Sequence, residues 1–192
     1  MVWRRQCSTA PIIDRGAPKV YSGAVRAQQP QERREDVSEH RATISWQKET
    51  ESFRYQDYNR EHRWEFPKSN IVVRATAAPK YGGKPDAVDP EEALVASISS
   101  CHMLTFLALC AHRGFVVERY LDEEVGVMEF NEMRKLAVTR VVLKPRIAFA
   151  PGHEPDAATL ADIHHEAHQQ CFIANSVKTN ITVEAPDPEV PR

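Results

Sequence analysis

Nineteen consecutive residues, Ala93 to Ala111, contain no Asp, Glu, Lys or Arg. So apolar a run has to be covered on several sides, and its length selects a helix over a strand. The residues ahead of it mark where the helix starts. Asp89-Pro90-Glu91-Glu92 supplies an N-cap acid, a proline at the first helical position and a glutamate at N3. Together these satisfy orphan amides and suit the positive end of the helix dipole. Gly114 fits the left-handed position that ends such a helix after Arg113. The small residues Ala93, Ala96, Ser97, Ser99 and Ser100 permit close approach of a neighbouring element. A transmembrane span is the rival reading. His102, Thr105 and the serines dilute the run and amphipathic strands surround it, which favours a central core helix.

The rest of the chain has a soluble globular composition, and 192 residues suffice for one domain with a tail. A net charge of -2 gives no reason to expect nucleic acid or an anionic membrane as partner. The four cysteines, Cys7, Cys101, Cys110 and Cys171, are too few for a secreted disulfide scaffold and form no CxxC pair. Met1-Val-Trp-Arg-Arg-Gln-Cys7 is basic, but no apolar stretch of signal-peptide length follows it. The chain therefore reads as cytoplasmic, where a functional cysteine pair is catalytic or sensing.

Residues 1–40 read as a disordered N-terminal extension, with Pro, Gln, Arg and Glu dominating from Ala27 to His40. Residues 41–185 read as the folded domain and 186–192 as a tail. Alternating or β-branched segments predict strands at Ala42–Trp46, His62–Phe66 and Asn70–Thr76. Beyond the helix, one strand is expected from Val116 to Phe130, its return from Lys135 to Phe149, and a last strand from Val177 to Glu184. A second, polar-faced helix is expected from Asp156 to about Cys171. This order predicts an α+β fold with an antiparallel sheet and a long buried central helix.

Three groups of residues could carry chemistry. Cys101 lies mid-helix, where the helix N-terminus gives a thiolate no help and burial favours the neutral thiol. It reads either as a small core residue or, with Cys171, as a redox pair. Cys110 reads as core filler and Cys7 as a bystander. His164, His168 and Cys171 fall at i, i+4 and i+7, one helix face, which is either a solvated face or a zinc-competent one. Tyr58-Asn-Arg60-Glu-His62-Arg63-Trp64 is a cationic and aromatic cluster at a strand start.

Asp89-Pro-Glu91-Glu-Ala-Leu-Val-Ala-Ser-Ile-Ser-Ser-Cys101 resembles the Pro-Glu helix and first cysteine of the osmotically inducible protein C and organic hydroperoxide resistance family. Ala167-His-Gln-Gln-Cys171-Phe-Ile-Ala-Asn-Ser176 is similar to its second-cysteine segment, and Tyr58-Asn-Arg60-Glu-His62 resembles its upstream arginine element. The resemblance spans roughly Arg41 to Glu184. It implies a thiol peroxidase in which Cys101 attacks an organic hydroperoxide, becomes a sulfenic acid and is resolved by Cys171 as a disulfide. A dithiol, such as lipoyl groups on carrier proteins, would re-reduce it. Arg60 and Glu91 would surround Cys101 in an intertwined homodimer needing no metal, flavin or other cofactor. A non-enzymatic stress protein, binding a small apolar ligand or sensing oxidants, is the alternative. Two positions depart from the common pattern. Asp89 stands where asparagine is usual, and Phe172 where a proline often follows the second cysteine.

Glu91 and Cys101, ten residues apart on one helix, are roughly 15 Å apart along its axis. If both serve one site, Glu91 has to come from the second subunit. The arginine's role can also be weighed. Lowering any thiol's pKa from ~8.5 to ~5.5 raises its thiolate fraction at neutral pH about thirtyfold. Its nucleophilicity falls about twentyfold. The two nearly cancel, so Arg60 is expected to act by orienting the peroxide and stabilising the departing oxygen, with Glu91 holding the guanidinium.

Overall fold

Helix α1 spans Pro90–Arg113 without interruption in a computed structural model that describes residues 37–184. Residues 1–36 and 185–192, with Cys7, lie outside the described residues. The capping box forms as expected: Asp89 Oδ1 accepts the Glu92 N–H at 2.8 Å and Glu92 Oε2 accepts the Asp89 N–H at 3.1 Å. Gly114 closes the other end at φ 82°, a conformation other residues enter at a cost.

Ahead of α1, β1 (Thr43–Ser45), β2 (His62–Phe66) and β3 (Ile71–Ala75) form an antiparallel sheet. Among the described residues neither helix packs broadly against this sheet, and Ile44, Phe53, Ile71 and Val72 stay exposed. Behind α1, the single strand expected over Val116–Phe130 is two, β4 (Val117–Asp122) and β5 (Val125–Phe130). Its return is likewise β6 (Leu136–Leu143) and β7 (Pro145–Phe149). β4 pairs with β7 and β5 with β6 in separate sheets, so one long hairpin is broken at the same level on both arms. The break has a local cause. Asp122 accepts the Lys144 N–H at 2.6 Å and the Ser99 hydroxyl at 2.5 Å, and Pro145 has no N–H to offer the ladder.

A second departure is β8 (Asn180–Val183), which lies parallel to β6. The sheet is mixed because the chain returns to β6 through a crossover containing α2 (Ala157–Gln170). The expected burial of the central helix is met on one face only. Ile98, Ser99, His102, Phe106 and Cys110 are buried, while Leu104 is 61% exposed. β5 approaches so closely that a Cβ on Gly126 would fall 2.3 Å from a Val95 methyl.

α2 runs antiparallel to α1. At one end Arg113 forks to Asp162, at 3.1 Å, and to Glu166. Between the helices Phe106, Cys110, Ile147, Ile163 and Ala167 form one core cluster. Ile98, Val141 and Leu143 form another, against which Ile173 and Val177 pack. Amid the apolar seam, His102 Nε2 and His164 Nδ1 lie 3.1 Å apart with their rings parallel to within 3°. His164 also stacks on Phe106, centroids 4.5 Å apart. Burial pushes both imidazoles down to about 4; His168 adds to the depression at His102 and Asp122 opposes it.

These imidazoles are neutral in the folded chain, whereas in the unfolded chain they take up protons below about pH 6.5. Their contribution is intact above that pH and is lost as pH falls from about 6.5 to 4, on the order of 3 kcal/mol per imidazole at most. Chemical denaturation across this window should show the loss, and a His102→Gln/His164→Asn variant should lose markedly less.

Candidate dithiol site

Cys101 and Cys171 meet where α2 ends. Cys171 is the C-cap of α2, and the chain turns sharply after it. Asn175 holds this turn: its backbone N–H reaches Cys171 O at 3.0 Å, and its side-chain amide reaches the Gln169 and Cys171 carbonyls at 2.8 and 3.0 Å. The Ser176 hydroxyl adds a bond to Phe172 O at 2.7 Å. Two successive backbone amides of the turn point at the two sulfurs. The Ile173 N–H reaches Cys101 Sγ at 3.5 Å and the Ala174 N–H reaches Cys171 Sγ at 3.4 Å. The Ile173 side chain is anchored in the Ile98–Val141–Leu143 cluster, which fixes the direction of its amide.

Both are free thiols. Burial, then the neighbouring Cys101 thiol, pushes the Cys171 thiol up to about 11. Cys171 therefore holds its proton at neutral pH. The sulfurs also differ in access, Cys101 being half-buried and Cys171 buried. A half-buried sulfur beside a buried, protonated one suits an attacking thiol followed by a resolving thiol. Cys110 is buried in the core, its thiol pushed up to about 11 by burial, as expected of filler.

Arg60 and Glu91 are placed elsewhere in the chain. The Arg60 guanidinium donates to Tyr58 O at 2.6 Å and Tyr55 O at 2.5 Å and lies over the Tyr58 and Tyr55 rings at 4.0 and 4.9 Å. It runs against Gly82, where a Cβ would stand 3.1 Å from the guanidinium carbon. Arg60, Trp46, Phe53, Tyr55, Tyr58 and Pro90 line an apolar pocket of about 670 Å³. Glu91 lines a separate cleft with Asp89, Glu92 and Glu124. One chain thus assembles the two thiols but does not pair Arg60 with Glu91.

Two members of the His164–His168–Cys171 face are turned inward, and His168 is half-buried. His164 is turned inward against His102 and Cys171 toward Cys101, and no group of three His, Cys, Asp or Glu suited to a metal occurs among the described residues. Sequence reading missed the Ile173 and Ala174 amides, which carry no side-chain signature, and the aromatic wall of Trp46, Phe53 and Tyr55. It also missed the His102–His164 pair, whose only signal is a histidine inside the uncharged run and another two turns ahead of Cys171.

The family model described as OsmC-like protein matches residues 83–185. A solved OsmC-like protein of unknown function from Vibrio cholerae is 41% identical, with TM-score 0.75 over 78% of this chain and all of the other. An organic hydroperoxide resistance protein OsmC from Legionella pneumophila shares the fold at 14% identity, with TM-score 0.57 over 78% of this chain and 96% of the other. OhrB of Bacillus subtilis does so at 11% identity, with TM-score 0.55 over 78% and 98%. Among curated proteins none matches the sequence. With more than half of its length inside the family model, the chain belongs to the OsmC family.

Proposed function

We propose that the protein is a thiol-dependent peroxidase that reduces organic hydroperoxides. The observation that carries this reading is the meeting of Cys101 and Cys171, each sulfur receiving an amide of one turn. The Cys101 thiolate attacks the terminal oxygen of ROOH; the O–O bond breaks, Cys101 becomes a sulfenic acid, and RO⁻ leaves and is protonated to ROH. The Cys171 thiol condenses with the sulfenic acid to give a disulfide and water. A dithiol reductant, free or as lipoyl groups on a carrier protein, restores both thiols and becomes a disulfide itself.

In this reading the working unit is a homodimer. The exposed apolar residues of the β1–β3 sheet and Leu104 on α1 are surfaces that a second copy would cover. Such a copy could bring Arg60 and Glu91 to Cys101, which the 24-residue span of α1 keeps from its own Glu91. Some solved proteins of this fold are named for organic hydroperoxide resistance, in keeping with the proposal. The aromatic pocket around Arg60 also supports a second reading, a stress protein that binds a small apolar ligand without turnover. Consumption of peroxide separates the two.

Stopped-flow mixing of the reduced protein with cumene hydroperoxide should show fast stoichiometric oxidation. Cys101→Ser should abolish it. Cys171→Ser should consume one equivalent and stop at a dimedone-trappable sulfenic acid. Peroxide untouched by the wild type, with an apolar ligand still bound, would favour the second reading.

Arg60→Lys should cut the oxidation rate by about 10²-fold, the cost typical of losing one charge-stabilising donor. Alkylation of Cys101 by iodoacetamide should stay within about threefold of the wild-type rate, since the thiolate population has little leverage. Full peroxidase activity in this variant would remove Arg60 from the site.

A further inference from the structure

The α1–α2 seam poses a question that the peroxidase scheme leaves unanswered. His102 and His164 are buried, bonded to each other at 3.1 Å, and their remaining nitrogens, His102 Nδ1 and His164 Nε2, have no hydrogen-bond partner among the described residues. A buried unsatisfied nitrogen is costly, and apolar residues of similar shape in both places would be as stable or more so. Stability alone therefore does not account for two imidazoles here.

Their position offers an account. His102 is the next residue after Cys101 on α1. His164 precedes Cys171 by seven residues, two turns along the same face of α2. The surrounding contacts, Phe106, Ile163 and Ala167, are apolar and so non-directional; they tolerate rotation of α2 about its axis and sliding along α1. The Arg113 fork grips Asp162 and Glu166, two residues before and two after His164, but it reaches them through a long side chain and their carboxylates are 66% and 34% exposed, a weak constraint on the rotation of α2. The imidazole bond is directional, and Phe106 stacked on His164 fixes the ring plane.

We propose that the His102–His164 hydrogen bond positions the dithiol: it sets the rotation and register of α2 on α1, so that Cys171 faces Cys101, and it governs disulfide closure while leaving the first attack on peroxide unchanged. This rests on the dithiol reading above. Both histidines are positioning residues, acting through α2 on a reaction they do not touch.

The test compares His102→Leu/His164→Leu with His102→Gln/His164→Asn in the full chain. Gln carries an amide where Nε2 stands and Asn one where Nδ1 stands, so the second pair can keep the bond. Three quantities are read: sulfenic acid formation with one equivalent of cumene hydroperoxide, the rate of disulfide closure, and the equilibrium of Cys101 and Cys171 with oxidised dithiothreitol, which requires no peroxide. In the Leu pair, closure and the equilibrium constant should fall about tenfold, a cost typical of lost orientation, with sulfenic acid formation within about twofold of wild type. The Gln/Asn pair should recover most of the loss. Wild-type closure in the Leu pair, equal slowing of both steps, or no rescue by Gln/Asn overturns the proposal. If the Leu pair does not fold, His164→Leu against His164→Asn gives the same comparison. A wild type that ignores peroxide yet closes its disulfide with oxidised dithiothreitol defeats the peroxidase reading alone, and the exchange equilibrium still decides the positioning claim.

Discussion

The antiparallel seating of α2 on α1 carries Cys171 across seventy residues of sequence to Cys101, and the chemistry proposed for the chain depends on it. Two apolar clusters supply the burial that drives the seating. Three polar contacts give it direction. The Arg113 fork, from the C-terminal end of α1, and the His102–His164 bond both hold the middle of α2, and the turn after Cys171 holds the end where the sulfurs lie. Ile173 joins packing to site: its side chain is fixed in the core beside Ile98 and its amide faces Cys101 Sγ.

What could be read from the sequence was local. Asp89, Pro90 and Glu92 identify the start of α1 because a capping box is made by residues three apart, and Gly114 identifies its end for a similar reason. Cys101 and Cys171 could be singled out as a candidate pair through the family resemblance. The broken hairpin could not be read, because Asp122 bonds Ser99 and Lys144, partners more than twenty residues away in either direction. Nor could the parallel pairing of β8, which follows from where α2 delivers the chain. The histidines illustrate the same limit. Helical periodicity puts His164, His168 and Cys171 on one face but does not say what that face meets.

Apolar surface connects the chain to its surroundings. The β1–β3 sheet shows Ile44, Ile71 and Val72 to solvent, Leu104 interrupts the open face of α1, and Phe172, beside the dithiol, is 81% exposed. Arg60 is held meanwhile in an aromatic pocket by two carbonyls and two tyrosine rings, apart from Glu91. A second copy that covers these surfaces and brings an arginine to each thiol pair would explain both facts together.

The central claim is that Cys101 and Cys171 act as one redox pair. It is tested most directly by peptide mass mapping of the full chain after reaction with one equivalent of an organic hydroperoxide and rapid alkylation. The account predicts a single new linkage between the Cys101 and Cys171 peptides, with Cys110 recovered as an alkylated thiol, and loss of that linkage on treatment with a dithiol. Recovery of both Cys101 and Cys171 as alkylated thiols, or a linkage through Cys110 in their place, would contradict it.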